Sequence, residues 1–321
     1  LFEGLNIVHI LFAAHGLPRE NTECVLVLAQ CGHQRLANKP RSACDDYVHS
    51  FAPDVLIYAH AREQIKDLSA TLLAYTCSMN HAVTCADQLA AFLLRHPRIA
   101  VLTGAGVSAG SGIPTYRDGD GRWLYRKPIQ HRDFLSDELT RKRYWSRSML
   151  GWPHVRDAAP NGIHRRLAQL EENGRVELLI TQNVDRLHQQ AGSQKVIDLH
   201  GRLDRVRCLD CGNLEEREAV QNQLLAHNDA SEVSRSQVRP DGDSDVPDAQ
   251  LQSFIAPLCP ACGGVLMPDV VFFGGTVPAA RVASCRAAVA RADALVVVGS
   301  SLQVYSGYRF CRQAQESNKP I

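Results

Sequence analysis

The sequence predicts an α/β fold, a parallel sheet covered by helices on both faces and interrupted by a small cysteine-rich insertion. Three observations carry that reading. From about residue 83 onward, short and nearly continuous apolar runs alternate with helical segments, the pattern of strands buried on both faces. Each run ends in glycine or small polar residues. Two Cys-x-x-Cys pairs fall where the alternation breaks off.

Taken in order, residues 1–82 contain "ILFAAHGLP", which reads as a strand entering a turn, and "PDVLIYAHAREQIKDLSATLLAYT", which reads as strand and helix. Cys24, Cys31, His33 and Cys44 lie there without a recurrent ligand spacing, so this part is an N-terminal extension of unassigned role. "CADQLAAFLLRH" has apolar residues at helical spacing. "RIAVLT" is a short buried strand running into Gly104. "IHRRLAQLEENG" is an amphipathic helix closed by Gly174. "VELLITQN" and "KVIDLHG" are strands with polar ends, "VASCRAAVARAD" is a helix, and "ALVVVGSS" is a strand with glycine at its tip. The sheet domain therefore occupies 83–204 and 267–321. Residues 205–266 form the insertion, in which strands fade and "VRPDGDSDVPDAQ" reads as a solvated loop.

Bulk properties exclude several classes. A net charge of +1 provides no basic field for nucleic acid. Apolar runs such as "ALVVVG" are too short to span a bilayer. "IVHILFAA", residues 7–14, has the length of a signal-peptide core but no basic residues before it, and is not read as one. Eleven cysteines, an odd number in a chain too large to need stapling, point to a reducing compartment. A bacterial cytoplasm is expected, with a mitochondrial matrix as the alternative.

Ligands of parallel sheets gather beyond the carboxyl ends of the strands. The tips Thr103-Gly104-Ala105-Gly106, Thr181-Gln182-Asn183, His200-Gly201 and Gly299-Ser300-Ser301 should therefore converge on one crevice. The first opens like a Rossmann-like dinucleotide turn, where Gly104 and Gly106 let main chain approach phosphates; a tight turn without a ligand would use the same residues. Its sequel departs from that pattern. A second turn, Gly110-Ser111-Gly112-Ile113-Pro114, follows at once and leads to Arg117, and no ribose-binding acid follows about 20 residues on. Gln182, Asn183 and Asp185 suit hydrogen bonds to a carboxamide or ribose, and suit a helix cap equally well. His200, at the tip of an apolar strand, is a candidate general base near neutral pH. Cys208-x-x-Cys211 and Cys259-x-x-Cys262 offer four thiolates to one tetrahedral zinc, and glycines after each pair permit the turns that aim the sulfurs. No histidine joins them, which favours a structural ion.

Together these segments resemble the sirtuins. GAGVSAGSGIPTYR, TQNVDRLH, the HG pair, the two CxxC knuckles, MPDVVFFGG and GSSLQVYSGYRF occur here in that family's order, over residues 83 to 321. "PIQHRDF", "RYW", "MLGWP" and "VVFFGGTV" are similar to the class II branch that includes mitochondrial sirtuin-four-like proteins and bacterial relatives. The resemblance implies an NAD-dependent protein-lysine deacylase. NAD would be consumed as co-substrate, giving nicotinamide, free lysine and O-acyl-ADP-ribose. It implies that residues 107–130 form a mobile cofactor-binding loop closing over the nicotinamide and Arg117. His200 would be the general base, with Asn183 and Asp185 holding the carboxamide and ribose. Gly104, Ala105, Gly106, Ser108, Ile113, Arg117, Gln182, Gly299, Ser300 and Ser301 would line the rest of the NAD site. Val270, Val271 and Phe272 would pair with an acyl-lysine protein or peptide as an added strand. One structural zinc would stand apart from the chemistry. Tyr144 and Arg147, at i and i+3, match a Tyr-x-x-Arg pair that binds acidic acyl groups in the desuccinylase branch; a solvated arginine beside a core tyrosine fits the same spacing.

Some positions depart from the family pattern. Thr115 stands where many members have aspartate, and Arg186 replaces the glycine of QNxDGLH, adding bulk beside the nicotinamide pocket. The chain stops at "NKPI", before a strand and helix that the family carries. It thus reads as a fragment with weakened NAD affinity and an exposed sheet edge. Mono-ADP-ribosyl transfer to protein is the nearest alternative activity. A non-catalytic NAD- or zinc-binding module is more remote, and the missing ribose acid argues against a dehydrogenase.

Overall fold

The computed structural model describes the backbone of residues 9–11 and 27–29, and residues 87–117, 122, 124, 128–229 and 251–321. Cys24, Cys31, His33 and Cys44, the helix expected in the extension and the loop at 238–250 lie outside the described residues. Strands β1 (His9–Leu11) and β2 (Val27–Ala29) pair antiparallel. They are followed by helix α1 (87–95), strand β3 (Ile99–Thr103), helices α2 (His131–Ser136), α3 (Glu138–Arg156) and α4 (Gly162–Glu172), and strand β4 (Val176–Thr181). Helix α5 (Leu187–Gln190), strands β5 (Val196–Asp198), β6 (Gly201–Cys208) and β7 (Leu214–Glu216), helix α6 (Arg217–His227) and strand β8 (Leu266–Val270) come next. Helix α7 (Ala279–Arg291), strand β9 (Ala294–Val298) and helix α8 (Tyr305–Glu316) complete the described elements.

The parallel sheet runs β5-β4-β3-β9. Thr103 lies opposite both Thr181 and Val298, and Thr181 opposite Asp198, so the strands end level and their tips share one edge. All five β3 residues are buried, as a central strand covered on both faces requires. Its side chains divide with period two. Ile99 and Val101 pack with Ile163 and Leu167 of α4, whereas Ala100 and Leu102 pack with Cys285 and Val289 of α7 and Phe310 of α8. Asn161 starts α4 with a capping box. Its side chain accepts from the Ile163 amide at 2.9 Å, and its own amide donates to His164 Nδ1 at 3.2 Å. Gly174, at φ +71°, carries the chain out of the helix as the sequence suggests.

The insertion holds more regular structure than its polarity suggests. β6 begins at the residue after His200 and pairs antiparallel with β7 and β8. Buried Val206, Val220, Leu224, Leu251, Phe254, Leu266 and Met267 form a second core with Phe134, Tyr144, Trp145 and Met149 of α2 and α3. Arg217 ties α6 to α3. Its guanidinium is buried over the rings of Trp145 and Trp152, and Nη2 donates to the Ser148 carbonyl and hydroxyl. Two aromatic faces and a main-chain carbonyl thus take the place of a counter-ion. Among the described residues no helix is long and apolar enough to cross a membrane.

Between α4 and α5 the rings of His164 and His188 lie 4.7 Å apart, and His188 Nε2 meets Thr103 Oγ1 at 3.0 Å. Burial is the main cause that lowers His164 to about 4 and His188 to about 3, with a smaller push from Arg165 on the first and from His164 on the second. In the unfolded chain both titrate near the ordinary imidazole value of about 6.5. Unfolding therefore takes up protons the folded pair refuses, and stability is lost as pH falls through 6.5. Urea unfolding should show a free energy that declines between pH 6.5 and about 4; a protein that gains stability across that interval contradicts the neutral pair.

Candidate active site and metal centre

The tips of β3 and β9 touch main chain to main chain. Gly104 donates to the Val298 carbonyl at 3.1 Å and Gly106 to the Gly299 carbonyl at 2.9 Å. A Cβ at Gly104 would lie 2.7 Å from the Gly299 oxygen, and one at Gly106 would lie 2.9 Å from it. Gly299 itself sits at φ +61°, and a side chain there would collide with the Val107 amide. Packing between the two tips thus requires these glycines before any ligand does. In place of the helix that usually follows such a turn come two 3-10 turns, Ala105–Val107 and Ala109–Ser111, ending at Gly112 with φ +84°. Asn161 Nδ2 pins them through the Val107 carbonyl at 2.7 Å and Ser111 Oγ at 3.1 Å, and His154 Nε2 donates to the Gly112 carbonyl at 2.9 Å. The sequence reading singled out neither Asn161 nor His154. Ile113 is buried with Trp152, Val155, Leu187 and Leu203. The Arg117 carbonyl accepts from Thr115 Oγ1 at 2.8 Å, and the neighbouring Tyr116 ring stands edge-on to Phe273 at 5.8 Å.

The β4 tip joins this pair. Asn183 Nδ2 donates to the Gly104 carbonyl at 3.1 Å and to Ser108 Oγ at 3.0 Å. Ser108 in turn donates to Asp185 Oδ2 at 2.6 Å. The other Asp185 oxygen accepts from the Leu187 amide at 2.9 Å, so one carboxylate both holds the first amide of α5 and joins the strand-tip network. Burial raises Asp185 above the usual carboxylate range, and the Ser108 hydroxyl opposes the shift. Arg186 holds the left-handed conformation that favours glycine, at φ +69°. Its guanidinium pairs with Asp198, with Asp204 at 3.9 Å.

His200 closes the set. Its Nδ1 lies 2.9 Å from the Gln182 carbonyl, which can only accept, so Nδ1 carries the proton and Nε2 the lone pair. Nε2 meets Ser306 Oγ at 2.7 Å. Burial pushes the ring below its ordinary value, the Gln182 bond opposes this, and Arg281 and Arg309 add to the lowering. The Gln182 side chain links onward, its Oε1 accepting from Ser300 Oγ at 2.6 Å, and it packs against Gly307, where a Cβ would lie 2.6 Å from Nε2. Gly201, at φ +88°, leaves no room for a side chain beside the Asp269 carbonyl. The predicted tips are therefore one connected network, with Ser301 exposed beside it.

The Val271 amide donates to the His200 carbonyl at 2.7 Å, which fixes the 270–272 edge to the histidine. Val270 and Val271 are half-buried. Phe272 turns inward, 4.9 Å from Phe134 and 5.3 Å from Tyr144 between ring centroids. Arg147 is buried on α3 beside Tyr144, so it is not a solvated arginine.

Cys208, Cys211, Cys259 and Cys262 place their sulfurs within 4.8 Å of one another. Cys208 and Cys262 are 3.6 Å apart, and Cys211 and Cys259 are 3.7 Å apart. A zinc bonded to four sulfurs at about 2.3 Å sets tetrahedral edges of about 3.8 Å. The four sulfurs fit that ion, and among the described residues they form the one such cluster. The glycines after the pairs contribute as expected, Gly212 at φ +74° and Gly263 at φ +73°.

With this geometry in place, likeness to known proteins decides the family. The Sir2 family pattern matches residues 104–306. The chain belongs to the Sir2 family. This sirtuin is 49% identical over 243 residues to NAD-dependent protein deacetylase 2 of Bradyrhizobium diazoefficiens, covering 76% of this chain and 89% of that one. It is 49% identical over 238 residues to the NAD-dependent protein deacylase SIR4 of Monosiga brevicollis, covering 73% and 77%. Among solved structures it is similar to a Sir2–p53 peptide–NAD+ complex, with TM-score 0.58, 31% identity and coverage of 72% and 82%. A structure of Sir2Tm bound to a propionylated peptide gives TM-score 0.56 at 30% identity, covering 73% and 83%.

The purified sirtuin should carry one zinc per chain, read by elemental analysis. A strong chelator should lower its Tm, because metal binding here is folding free energy. A Tm that ignores both zinc removal and Cys262→Ser would contradict a structural role.

Proposed function

We propose that His200 is the general base of this sirtuin and that the joined strand tips hold its co-substrate. The enzyme is an NAD-dependent protein-lysine deacylase. One observation carries the assignment of the base: Nδ1 donates to the Gln182 carbonyl, which leaves Nε2 unprotonated on a ring whose burial disfavours imidazolium. In this reading Gly104, Ala105, Gly106 and Ser108 hold NAD together with Ile113, Arg117, Gln182, Gly299, Ser300 and Ser301. Asn183 and Asp185 bind the carboxamide and ribose, and the Ser108 bridge between them fixes their spacing. Val270, Val271 and Phe272 offer main chain to an acyl-lysine peptide, in support of which relatives have been solved with a p53 peptide and with a propionylated peptide. His200 withdraws the proton of a ribose hydroxyl, whose oxygen then attacks the acyl carbon. We assign 83–204 and 267–321 to the NAD-binding part, 205–266 to the zinc module, and 1–82 to an extension. The charge balance and thiol content suit a bacterial cytoplasm.

Incubation with NAD and acyl-lysine peptides, followed by mass spectrometry, should yield nicotinamide, free lysine peptide and O-acyl-ADP-ribose. His200→Ala should lower formation of the last by about 10²-fold or more. Since the neutral ring is the active form and its pKa is depressed, activity should persist as pH falls below about 6.5. An ADP-ribosylated protein as the main product, or full activity in His200→Ala, would overturn this reading.

The acyl preference rests on α3. The Tyr144 ring packs on Phe272, and Arg147 is buried one turn further along; in this reading its guanidinium binds a carboxylate at the far end of an acyl chain. Arg147→Met should reduce kcat/KM for succinyl-lysine by about tenfold or more relative to acetyl-lysine, a loss of one charge-assisted pair. An equal change for both substrates refutes the acidic-acyl assignment.

A further inference from the structure

The hydrogen bond between His200 Nε2 and Ser306 Oγ, 2.7 Å long, raises a difficulty for the base. Nδ1 carries the ring proton, so Nε2 has a single lone pair, and Ser306 already donates into it. A substrate hydroxyl meeting this pair finds no free acceptor on the imidazole. It does find one on Ser306, because a hydroxyl that donates once still has two lone pairs. Ser306 is the second residue of α8, so its oxygen lies in the first turn of a twelve-residue helix, where the amide dipoles favour negative charge. The helix also fixes its distance from the ring: Gly307, the next residue, packs against the side chain of Gln182, whose main-chain carbonyl holds Nδ1. The charged groups facing the ring are Arg281 of α7, whose Nη1 donates to the Leu199 carbonyl at 3.1 Å, and Arg309 of α8, stacked over Tyr305 at 5.1 Å. Among the described residues no carboxylate bonds either ring nitrogen.

We propose that Ser306 is a further catalytic residue, a relay that receives the proton of the substrate hydroxyl on Oγ while passing its own proton to His200 Nε2. This rests on the assignment of His200 as base. The O–H bond of the substrate breaks as a new Ser306 O–H bond forms. The former Ser306 O–H bond breaks as N–H forms at Nε2. The ring ends as imidazolium, Ser306 is a neutral hydroxyl again, and the electron pair left on the substrate oxygen attacks the acyl carbon. No oxidant or further reactant is needed.

The test measures O-acyl-ADP-ribose formation at saturating NAD and acyl-lysine peptide for wild type, Ser306→Ala, Ser306→Thr, Ser306→Val and His200→Ala. Ser306→Ala should lower kcat by on the order of 10²-fold, with the KM values for NAD and peptide little changed. Threonine, which keeps the hydroxyl, should restore most of the rate, whereas valine, of the same shape, should not. The threonine–valine comparison holds even if the alanine variant proves unstable. Wild-type kcat in Ser306→Ala, or equal rates for threonine and valine, overturns the relay while His200→Ala remains inactive. Retained product formation in His200→Ala instead removes the base and the relay with it.

Discussion

A bond of 2.9 Å from His200 Nδ1 to the carbonyl of Gln182 sets the protonation of the ring on which the site depends. A main-chain carbonyl cannot donate, so it dictates the tautomer as well as the orientation. Burial then disfavours the imidazolium. Gln182 is the first residue beyond β4, and its amide donates to the Thr103 carbonyl at 3.0 Å. The carbonyl that fixes the ring is itself fixed by the parallel sheet. The position of the His200 ring is thereby a property of strand register rather than of loop conformation.

The same economy governs the glycine turn. Gly104, Gly106 and Gly299 let two strand tips interpenetrate, and that contact brings Ser300 within reach of Gln182. Asn183 ties in from β4 through the Gly104 carbonyl and Ser108. Because the tips are bonded to one another, their relative positions are set by contacts within the chain. A chain that cannot close Gly106 onto Gly299 loses the packing between the two tips.

How much of this was legible in the sequence differs by element. Strands β3, β4 and β9 read out because burial makes them nearly continuous apolar runs, whereas β5 at the sheet edge is short and half-buried. The four cysteines read out because tetrahedral thiolate sites need paired knuckles. α3 did not. Ten of its residues are buried, yet Thr140, Ser146, Arg147 and Ser148 are among them, so the helix shows no apolar stripe. Its wide contact surface, with Phe134 and Phe272 at one end and Arg217 over Trp145 and Trp152 at the other, erases the usual alternation. β6 was hidden differently: Leu203, Val206 and Cys208 are buried, but the alternation slips at Asp204-Arg205, and the charges of Arg202, Arg205 and Arg207, paired with Asp204 and Asp269, mask the rest. Asn161, His154 and Ser306 carried no signal beyond common polar residue types. Only the fold places their side-chain atoms against the Val107 and Gly112 carbonyls and the His200 ring.

The tautomer of His200 decides the matter, and nitrogen NMR reads it directly. Long-range nitrogen–proton correlation spectra near neutral pH, with the His200 ring assigned by its disappearance in a His200→Gln variant, distinguish the two neutral tautomers from the cation. His200 should be neutral, with hydrogen on Nδ1 and none on Nε2. A ring protonated at Nε2, or at both nitrogens, would contradict it.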